Sequence, residues 1–422
     1  MGILRQLLDD DPVVILDEAK RTPRADTLTK DGLGLFNGSG ANQLGSIALR
    51  AVLRATGIKP DMIGHLIMGS VGHAKRDAWY GGRHVGLSAG VNTPAVTVNR
   101  LCGSGVEAIR IGVMQLLLES TDHQPFVAVV AAEQMNYPHL VQARGRNGVK
   151  FGPANLLPGT VGQDTMTISL YDPFAGMAMA NTAERLGRQE GITRGQCDQF
   201  ALRSHGRAKA ARDAGHFDEE IVAVSVPMNG GVSPMDVCRD THIRDDITLD
   251  GLANLRSAFE PGGMITAGNA SGVVDGAAAM IICRNSTATN MGLTPLARIV
   301  GWGCATCPPD IMGWGPVPAT KQALECAGLT GDRIHWVELN EAFAPQALAC
   351  IKGFAKMGID PEKVNPYGGA IALGHPLGAT GAILTLTAAY GLRRTGKRYA
   401  LVTMCIGGGQ GISLIIENPR AA

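Results

Sequence analysis

A glycine-rich turn with the sequence NRLCGSG, at residues 99–105, leaves this chain few ways to fold. It follows an apolar, β-branched run at residues 95–98 and precedes a helix-like run at residues 106–120. A strand that turns sharply into a helix is a building unit of α/β folds, in which helices cover a sheet. The turn therefore predicts an α/β fold, and it places Cys102 where a strand ends and a helix begins.

Cys102 in this turn is a candidate nucleophile. The amides and the dipole at a helix N-terminus favour the thiolate over the thiol, and the thiolate is the reactive form. Gly103 and Gly105 remove side-chain bulk, which predicts that another molecule can approach the sulfur closely. The alternative is an inert cysteine that is buried at the end of a strand.

Apolar runs typical of buried strands recur on both sides of this turn, separated by segments with helical spacing. The run at residues 126–132 is continuously apolar, as in strands that are covered on both faces. From residue 13 to residue 132, strands and helices alternate, and this order predicts a mostly parallel sheet.

The second half of the chain repeats this alternation after a long segment of different character. Residues 133–263 are rich in Gly, Pro, Asn and Met at first and then helical, which is typical of an excursion that carries a binding surface. A Val-Asn pair precedes a glycine-rich turn and a helix in both halves. We therefore predict two copies of one α/β unit: an N-terminal half of residues 1–132 and 264–290, and a C-terminal half of residues 291–422.

Length and charge limit the classes of function. With 422 residues the chain is too long for one ordinary core. The 38 basic and 37 acidic residues nearly balance, which gives no argument for a nucleic-acid partner or for an acidic membrane surface. No apolar run is long enough for a membrane span, and residues 1–11 resemble neither a signal peptide nor a transit peptide. The cytoplasm is the expected location.

The nine cysteines are scattered and odd in number, so we expect a reducing compartment rather than a disulfide framework. Cys304 and Cys307 have the spacing CxxC, but no second Cys or His pair stands at a matching distance. We therefore interpret them as two unrelated small residues in a loop and predict no metal site.

Three further stretches place reactive side chains at strand ends or among glycines. Asn340 follows a strand-like run at residues 336–339, and its alternative role is a helix N-cap. His375 lies between a glycine and a proline, where a rigid loop holds a base or hydrogen-bond donor; a loop histidine without a function is the alternative. Cys405 ends a strand and precedes glycines whose amides are suited to an oxyanion hole, the alternative again being a buried cysteine.

A cysteine nucleophile and a histidine base together are an arrangement for acyl transfer. Five motifs, in the same order and over nearly the whole chain, resemble the signatures of the thiolase family: NRLCGSG around Cys102, GNASG around Ser271, NEAF from Asn340, GGAIALGHPLGATG around His375, and CIGGGQG from Cys405. Within that family the chain resembles bacterial acetyl-CoA acyltransferases and β-ketothiolases of broad substrate range. The resemblance implies a layered αβαβα fold with two similar halves and a loop domain inserted in the N-terminal half.

The resemblance also implies a role for each motif residue. Cys102 is the residue that becomes acylated, and His375 accepts its proton. Cys405 is the second acid/base, which takes a proton from acetyl-CoA in synthesis or protonates the leaving carbanion in cleavage. His375 and a water held by Asn340 stabilise one oxyanion, and the backbone N–H groups of Cys102 and Gly407 hold the other.

Three more residues are implied in substrate binding. Ser271 resembles the family serine near the pantetheine arm, and Arg244 resembles an arginine that meets the CoA nucleotide. Met179 lies in an Ala-Met-Ala sequence where many relatives have His-Met-Gly, which predicts an acyl pocket that is larger or less polar. We therefore expect acyl groups longer than acetoacetyl to be accepted. A few residues after that arginine, Gly251 stands where relatives often have serine, so the chain departs there from the family pattern for the nucleotide.

The resemblance implies coenzyme A as a co-substrate, no permanently bound cofactor, and a homodimer or homotetramer. Two other functions remain as alternatives. A decarboxylating ketoacyl synthase pairs one cysteine with two histidines, whereas this chain offers one motif histidine and a second motif cysteine. A non-catalytic CoA- or lipid-binding protein of the same fold is expected to have lost a catalytic residue, and every motif residue is present here.

Overall fold

The computed structural model describes residues 10–27, 34–72, 76–119, 121–141, 163–227 and 233–421, and the expectation for residues 1–9 lies outside them. The strands are β1 (Val13–Leu16), β2 (Lys20–Arg21), β3 (Ala25–Asp26), β4 (Ile63–Gly69), β5 (Ala95–Val98), β6 (Phe126–Glu133), β7 (Leu140–Val141), β8 (Gln163–Asp164), β9 (Tyr171–Asp172), β10 (Met177–Ala178), β11 (Val224–Val226), β12 (Met235–Val237), β13 (Val274–Arg284), β14 (Pro295–Thr306), β15 (Trp336–Leu339), β16 (Tyr399–Ile406) and β17 (Gln410–Glu417).

Helices connect these strands and cover the sheet. In chain order they are α1 (Ala41–Thr56), α2 (Gly81–Ala89), α3 (Ser104–Glu119), α4 (Thr165–Ser169), α5 (Met179–Gln189), α6 (Arg194–Asp213), α7 (Leu249–Ala253), α8 (Asn285–Asn290), α9 (Pro316–Ala327), α10 (Ala344–Ala355), α11 (Ala370–Leu373) and α12 (Thr380–Thr395). The predicted strands at residues 95–98, 126–132 and 336–339 and the predicted helix at residues 106–120 lie within two residues of β5, β6, β15 and α3.

One large sheet is built from two halves with the same strand order, which confirms the predicted internal repeat. The path through the sheet runs β15-β16-β17-β14-β1-β13-β6-β4-β5. In the N-terminal half β5, β4 and β6 are parallel, whereas β13 and β1 continue antiparallel. In the C-terminal half a parallel bridge between Val337 and Val364 corresponds to the β4–β5 pair. The strands β15 and β16 are parallel, and β17 and β14 continue antiparallel, as β13 and β1 do in the first half.

The prediction of a mostly parallel sheet is wrong. Along this path three strand pairs are parallel and five are antiparallel, including the β1–β14 pair that joins the halves. Both faces of the sheet are covered by helices, and strands buried on both faces become continuously apolar whatever their direction. The apolar run at residues 126–132 forms β6, which is buried throughout and pairs parallel with β4 on one side but antiparallel with β13 on the other.

The layers follow from three hydrophobic clusters. The central cluster contains α3 and α12, with Val129 of β6 on one side and Val402 of β16 on the other. A second cluster joins the opposite face of β6 to α1, and a third joins the C-terminal strands to α10. Two helices between two sheet halves, with further helices outside, give the αβαβα arrangement.

Gly105 and Gly381 let the two central helices meet at their N-termini. A Cβ on Gly105 would lie 2.6 Å from the backbone nitrogen of Ala382, and a Cβ on Gly381 would lie 2.6 Å from that of Val106. Any side chain at either position would push the helices apart. This contact brings the Cys102 turn against the loop that carries His375.

Gly103 also serves packing, contrary to the expectation that these glycines open access to the sulfur. A Cβ on Gly103 would lie 2.6 Å from Cδ1 of Ile406, the last residue of β16 in the C-terminal half. The glycines beside Cys102 are thus required because backbone and side chains of the other half already occupy the space around them.

The central helix meets the length and composition criteria for a membrane span over residues 101–119, which corrects the expectation that no such run exists. More than half of this stretch is buried inside the fold, as in the core helix of a globular protein. It packs between the two sheet halves.

The excursion is anchored to the N-terminal half by a buried group of charges. Arg21 donates from Nε to Glu220 at 2.7 Å and makes two hydrogen bonds to the carboxylate of Asp240, at 2.8 and 2.9 Å. The backbone N–H of Arg24 donates to the same carboxylate at 2.7 Å. Although burial opposes ionisation, the nearby Arg21 and Arg24 lower the pKa of Asp240 to about 2.

We expect Asp240→Asn to reduce the free energy of unfolding by about 3 kcal/mol, because it leaves Arg21 and Arg24 under-compensated in the interior. The pKa of Asp240 is lowered from its ordinary value of 3.8 to about 2. Its carboxylate therefore stabilises the fold fully at pH values above 3.8, and this contribution disappears as the pH falls towards 2. Urea unfolding of wild type and variant from pH 6 downward measures both effects, with the exposed Asp236→Asn as control. If the difference in the free energy of unfolding between wild type and Asp240→Asn stays constant over that pH range, the lowered pKa of Asp240 is contradicted.

Candidate active site

One cavity of about 160 Å³ collects most of the candidate residues from both halves and the excursion. Its reactive members are Cys102, His375 and Cys405, with the backbone of Gly407 beside them. Its remaining lining is largely apolar and consists of Met135, Leu170, Ala178, Met179, Ala180, Phe259, Ala270, Ser271, Gly272, Val273, Met312, Ala342, Phe343 and Leu377. Cys102 of the N-terminal half therefore faces the same space as His375 and Cys405 of the C-terminal half.

The turn that presents Cys102 contains a strained residue. Leu101 has a φ of 45°, in the left-handed region that side chains such as leucine rarely adopt, at a cost of about 1–3 kcal/mol. Its N–H donates to Asn99 Oδ1 at 2.9 Å, and its carbonyl accepts from Ser104 Oγ at 2.7 Å. These hydrogen bonds hold the turn, so that Cys102 stands just before the first residue of α3.

The Cys102 thiol is protonated at neutral pH. Burial raises its pKa to about 12, and the nearby Glu133 acts in the same direction, although the amides of Cys102 and Gly407 act against it. The expectation that the helix N-terminus favours a thiolate is therefore wrong for the free protein, because removal of water from the sulfur outweighs the amides. A base must take the proton when the sulfur attacks.

His375 shares the cavity with Cys102 and has the tautomer and charge state that such a base needs. Its Nδ1 lies 2.6 Å from Thr380 Oγ1, and the Thr380 hydroxyl itself donates to the carbonyl of Pro376 at 3.2 Å. Because that hydroxyl proton is already used, Nδ1 must donate to Thr380, and Nε2 keeps its lone pair. Burial lowers the pKa of His375 to about 4, so the ring is neutral at physiological pH.

We expect Thr380→Val to slow acylation of Cys102 by about tenfold to a hundredfold, because the ring loses the acceptor that sets its tautomer. Rapid-quench measurement of acyl transfer from acetyl-CoA gives the rate. The matched control is Thr385→Val in the same helix, where the lost hydroxyl donates to the carbonyl of Gly381. Equal rates in the two variants would show that Thr380 does not orient the base.

Asn340 lies behind His375 and does not cap a helix. The helix after it begins at Ala344, and its N-cap is Phe343. The Asn340 side chain instead donates from Nδ2 to His375 Nε2 at 3.3 Å, while its buried Oδ1 accepts no hydrogen bond from the described residues. The N-cap alternative is therefore wrong, and the unused oxygen is suited to hold a polar group or a water beside the imidazole.

Glu133 is a residue of the site that sequence reasoning missed. Its buried carboxylate accepts from the backbone N–H groups of Val71 at 3.0 Å, Gly72 at 2.8 Å and Gly378 at 2.8 Å. Burial raises its pKa to about 7 despite these donors. It ties the loop after β4 to the loop that carries His375. A charged residue at the end of an otherwise apolar strand was the available signal.

Glu341 was missed in the same way, although it belongs to the NEAF motif. It accepts from Ser204 Oγ of α6 at 2.7 Å, from Asn365 Nδ2 at 2.7 Å and from the N–H of Ile371 at 3.1 Å. Burial raises the pKa of this carboxyl group. Glu341 thus joins the excursion to the segment that leads into the histidine loop.

Cys405 is the last residue but one of β16 and lines the cavity. Burial raises the pKa of its thiol well above the ordinary value, and the neighbouring thiols, Cys102 first among them, add to the effect. Gly408 and Gly409, with φ of 83° and 77°, form the turn to β17. The amide beside Cys102 is that of Gly407, the position at which the resemblance placed an oxyanion donor.

The residues implied in CoA binding fall in two places. Ser271 and Met179 line the catalytic cavity. Arg244 lines a separate, open pocket of about 340 Å³ together with His205, His242 and Gly251. The two pockets share none of their lining residues, so the structure places Arg244 apart from the reacting groups.

Cys304 and Cys307 do not lie together in a loop: Cys304 belongs to β14, and Cys307 follows the strand. All nine cysteines are free thiols. Among the residues that the structure describes, no group of three His, Cys, Asp or Glu side chains is arranged to hold a metal ion.

Comparison with known sequences matches two family domains. The thiolase N-terminal domain matches residues 13–286, and the thiolase C-terminal domain matches residues 293–418. The chain is 43% identical over 397 residues to the beta-ketothiolase BktB of Cupriavidus necator, covering 92% of this chain and 97% of that protein. It is 42% identical over 387 residues to the mitochondrial 3-ketoacyl-CoA thiolase of Homo sapiens, covering 91% and 94%.

Solved structures agree with these sequence relatives. The crystal structure of human mitochondrial 3-ketoacyl-CoA thiolase in complex with CoA has a TM-score of 0.86 and 40% identity to this chain, covering 97% of this chain and 98% of that one. The acetyl-CoA acetyltransferase of Bacillus anthracis has a TM-score of 0.87 and 34% identity, covering 97% and 99%.

Proposed function

This chain belongs to the thiolase family and is a CoA-dependent acyltransferase, and on that premise we propose that it cleaves 3-ketoacyl-CoA with CoA through an acyl-Cys102 intermediate. The products are acetyl-CoA and a shortened acyl-CoA, and the reverse reaction condenses the two. The single observation that carries the mechanism is the convergence of Cys102, His375 and Cys405 on one cavity.

In the first half of the reaction, Cys102 Sγ attacks the 3-keto carbon while His375 Nε2 accepts the thiol proton. The bond between C2 and C3 then breaks, and its electron pair remains on C2. Cys405 donates its proton to C2, so that acetyl-CoA leaves and the acyl group stays on Cys102 as a thioester.

In the second half, the thiol of a new CoA gives its proton to the Cys405 thiolate and attacks the acyl carbon. Cys102 leaves as a thiolate and recovers its proton from His375. The CoA proton replaces the one that Cys405 gave to C2, so both thiols and the imidazole are again neutral and the enzyme is ready for another turnover. The protein side chains and CoA supply all the groups needed, so we propose no permanently bound cofactor.

Two sets of donors stabilise the oxyanions that form in these steps. The amides of Cys102 and Gly407 hold the oxygen of the carbon attacked by the sulfur, and their proximity to that sulfur supports the assignment. The Asn340 side chain contacts His375 and keeps a free Oδ1, which supports its role in holding a water near the enolate oxygen. Ser271 borders the pantetheine arm, and Arg244 meets the CoA nucleotide in its separate pocket.

A thiolysis assay with intact-protein mass spectrometry tests this function. The purified protein is mixed with acetoacetyl-CoA and CoA, and loss of the 3-ketoacyl thioester is followed by absorbance. We expect turnover, and in the absence of free CoA an acyl adduct that peptide mapping assigns to Cys102. No cleavage of any 3-ketoacyl-CoA, or an adduct on another residue, would contradict the proposal.

We also propose that the protein is a homodimer that pairs through the end of the sheet at β5. This strand is the last on the path through the sheet, and Val96 on it is 45% exposed. Leu87 on the neighbouring α2 is also exposed, and an apolar sheet edge of this kind is normally covered. Light scattering of wild type and Val96→Asp measures the oligomeric state, and a monomeric wild type would contradict it.

A reducing compartment, the cytoplasm in the first instance, is the location that we propose. The nine free cysteines support it, since two of the mechanistic groups must stay reduced to act. Imaging of a fluorescent fusion tests this point.

A further inference from the structure

We propose that Asn365 is a positioning residue, which fixes Asn340 in place beside His375 and thereby acts on the enolate step. The inference rests on the thiolase activity proposed above and adds a residue to its machinery. Asn365 belongs to the second Val-Asn pair of the chain, at residues 364–365, and this repeated pair contains none of the reacting groups.

The side chain of Asn365 takes the place of a neighbouring strand at the end of β15. Next to the bridge between Val337 and Val364, the N–H of Asn365 donates to the carbonyl of Val337 at 2.8 Å. The side chain continues this ladder: Oδ1 accepts from the N–H of Leu339 at 2.8 Å, and Nδ2 donates to the carbonyl of Leu339 at 2.9 Å. Both backbone groups of the residue before Asn340 are therefore bound by one amide.

The same amide also binds the residue after Asn340. Nδ2 of Asn365 donates to Glu341 Oε1 at 2.7 Å. Asn340 is thus fixed along the chain on both sides, through Leu339 and through Glu341. Its own Nδ2 lies 3.3 Å from His375 Nε2, so a shift of the strand end would move Asn340 relative to the imidazole.

Asn365 adopts a backbone conformation that few side chains tolerate. Its φ is 48°, in the left-handed region where asparagine is enriched among residues other than glycine. Asn365, Asn340 and Glu341 are all buried. Water is therefore not available to replace this amide, and its loss would leave the backbone groups of Leu339 unpaired in the interior. Position 365 requires the left-handed conformation and the amide together.

The Val-Asn pair of the N-terminal half, at residues 98–99, is used in a similar way. Asn99 Oδ1 accepts from the N–H of Leu101 at 2.9 Å, and Leu101 directly precedes Cys102. In both halves the asparagine of the pair thus binds the residue before a group of the site. This recurrence supports a positioning role for Asn365.

Two reactions of acetyl-CoA separate the positioning of Asn340 from general support of the fold. Exchange of the α-hydrogens with deuterated water requires the enolate, whereas acetyl transfer to Cys102 uses the amides near the sulfur. Asn365→Gly keeps the left-handed backbone and removes the amide. We expect exchange to fall about tenfold to a hundredfold, as for a displacement of about 1 Å at a reacting group. Acetyl transfer should continue within a few fold of the wild-type rate.

A double-variant cycle identifies the route of this effect. In an Asn340→Ala background we expect Asn365→Gly to cause no further loss of exchange, because the positioned group is already absent. Asn365→Asp is a second variant, which keeps the size and the Oδ1 acceptor but loses Nδ2, and the same fall is expected. The matched control is Asn418→Gly, which removes a buried amide bound to the carbonyls of Leu392 and Lys397 and should exchange as wild type does.

Exchange at the wild-type rate in both Asn365 variants would overturn the inference. An equal fall of exchange and acetyl transfer in both variants would also overturn it, because that pattern is expected of general support of the fold. A further loss of exchange in the double variant would show that Asn365 acts independently of Asn340 and would likewise refute the proposed route. Absence of both reactions in the wild type would instead refute the proposed function.

Discussion

Cys102→Ser is expected to abolish formation of the acyl-enzyme and to lower kcat for thiolysis by roughly four orders of magnitude or more. The serine hydroxyl is a far weaker acid than a thiol, and a neutral imidazole whose pKa burial lowers to about 4 is too weak a base to remove its proton. The alkoxide would also be a poorer leaving group than the thiolate in the second half of the reaction. The change is small in volume, so the loss reports chemistry rather than folding.

Intact-protein mass spectrometry after mixing with acetyl-CoA measures the acyl-enzyme directly, and a thiolysis assay measures turnover. Cys238→Ser is the matched control, because Cys238 is an exposed cysteine that does not line the cavity. It should load and turn over as wild type does. Normal loading of the Cys102→Ser protein would place the acyl group on a different residue and remove the basis of the mechanism.

The resting site carries no net charge on its three reactive groups. Burial raises the pKa of the Cys102 thiol to about 12 and that of Cys405 well above its ordinary value, while it lowers the pKa of His375. A preformed thiolate–imidazolium pair would gain attraction but lose the hydration of two ions, and inside the protein that loss is larger. Proton transfer therefore accompanies attack on the substrate, when the amides near the sulfur stabilise the new oxyanion.

Much of this site was predictable because its reactive residues can be identified from their residue types and from the neighbouring sequence. Cys102 and Cys405 stand near glycines at the ends of strands, His375 follows a glycine in a loop, and the resemblance to thiolases implies a role for each of them. The repeat of the Val-Asn pair likewise predicted two similar halves. Such local features survive in the sequence because a tight turn or a close approach allows few residues.

Other parts were not predictable, for physical reasons. Strand direction was wrong because burial on both faces produces the same apolar run in either direction. The charge state of Cys102 was wrong because desolvation depends on residues from the other half, which sequence proximity does not show. Glu133 was missed because its partners are backbone amides of two distant loops, and amides leave no mark in a sequence.

Cys405→Ala is expected to separate the two chemical roles of the site. Transfer of an acetyl group from acetyl-CoA to Cys102 should continue within a few fold of the wild-type rate, since it requires His375 and the oxyanion donors. Cleavage and formation of the carbon–carbon bond should fall by about a hundredfold to ten-thousandfold, the usual contribution of a positioned acid or base. The two thiols are near neighbours, since Cys102 raises the pKa of Cys405.

Exchange of the α-hydrogens of acetyl-CoA with deuterated water gives a direct measure of the Cys405 step. Wild type should wash deuterium into the acetyl methyl group, because the carbanion forms and is reprotonated, whereas Cys405→Ala should not. Cys307→Ala is the matched control: its thiol is close enough to Cys405 to raise the pKa of that group, yet Cys307 does not line the cavity. Deuterium exchange at the wild-type rate in Cys405→Ala, with the control unchanged, would assign proton transfer at carbon to another group. Loss of exchange together with retained acylation would assign the acyl group to one thiol and the proton transfer at carbon to the other.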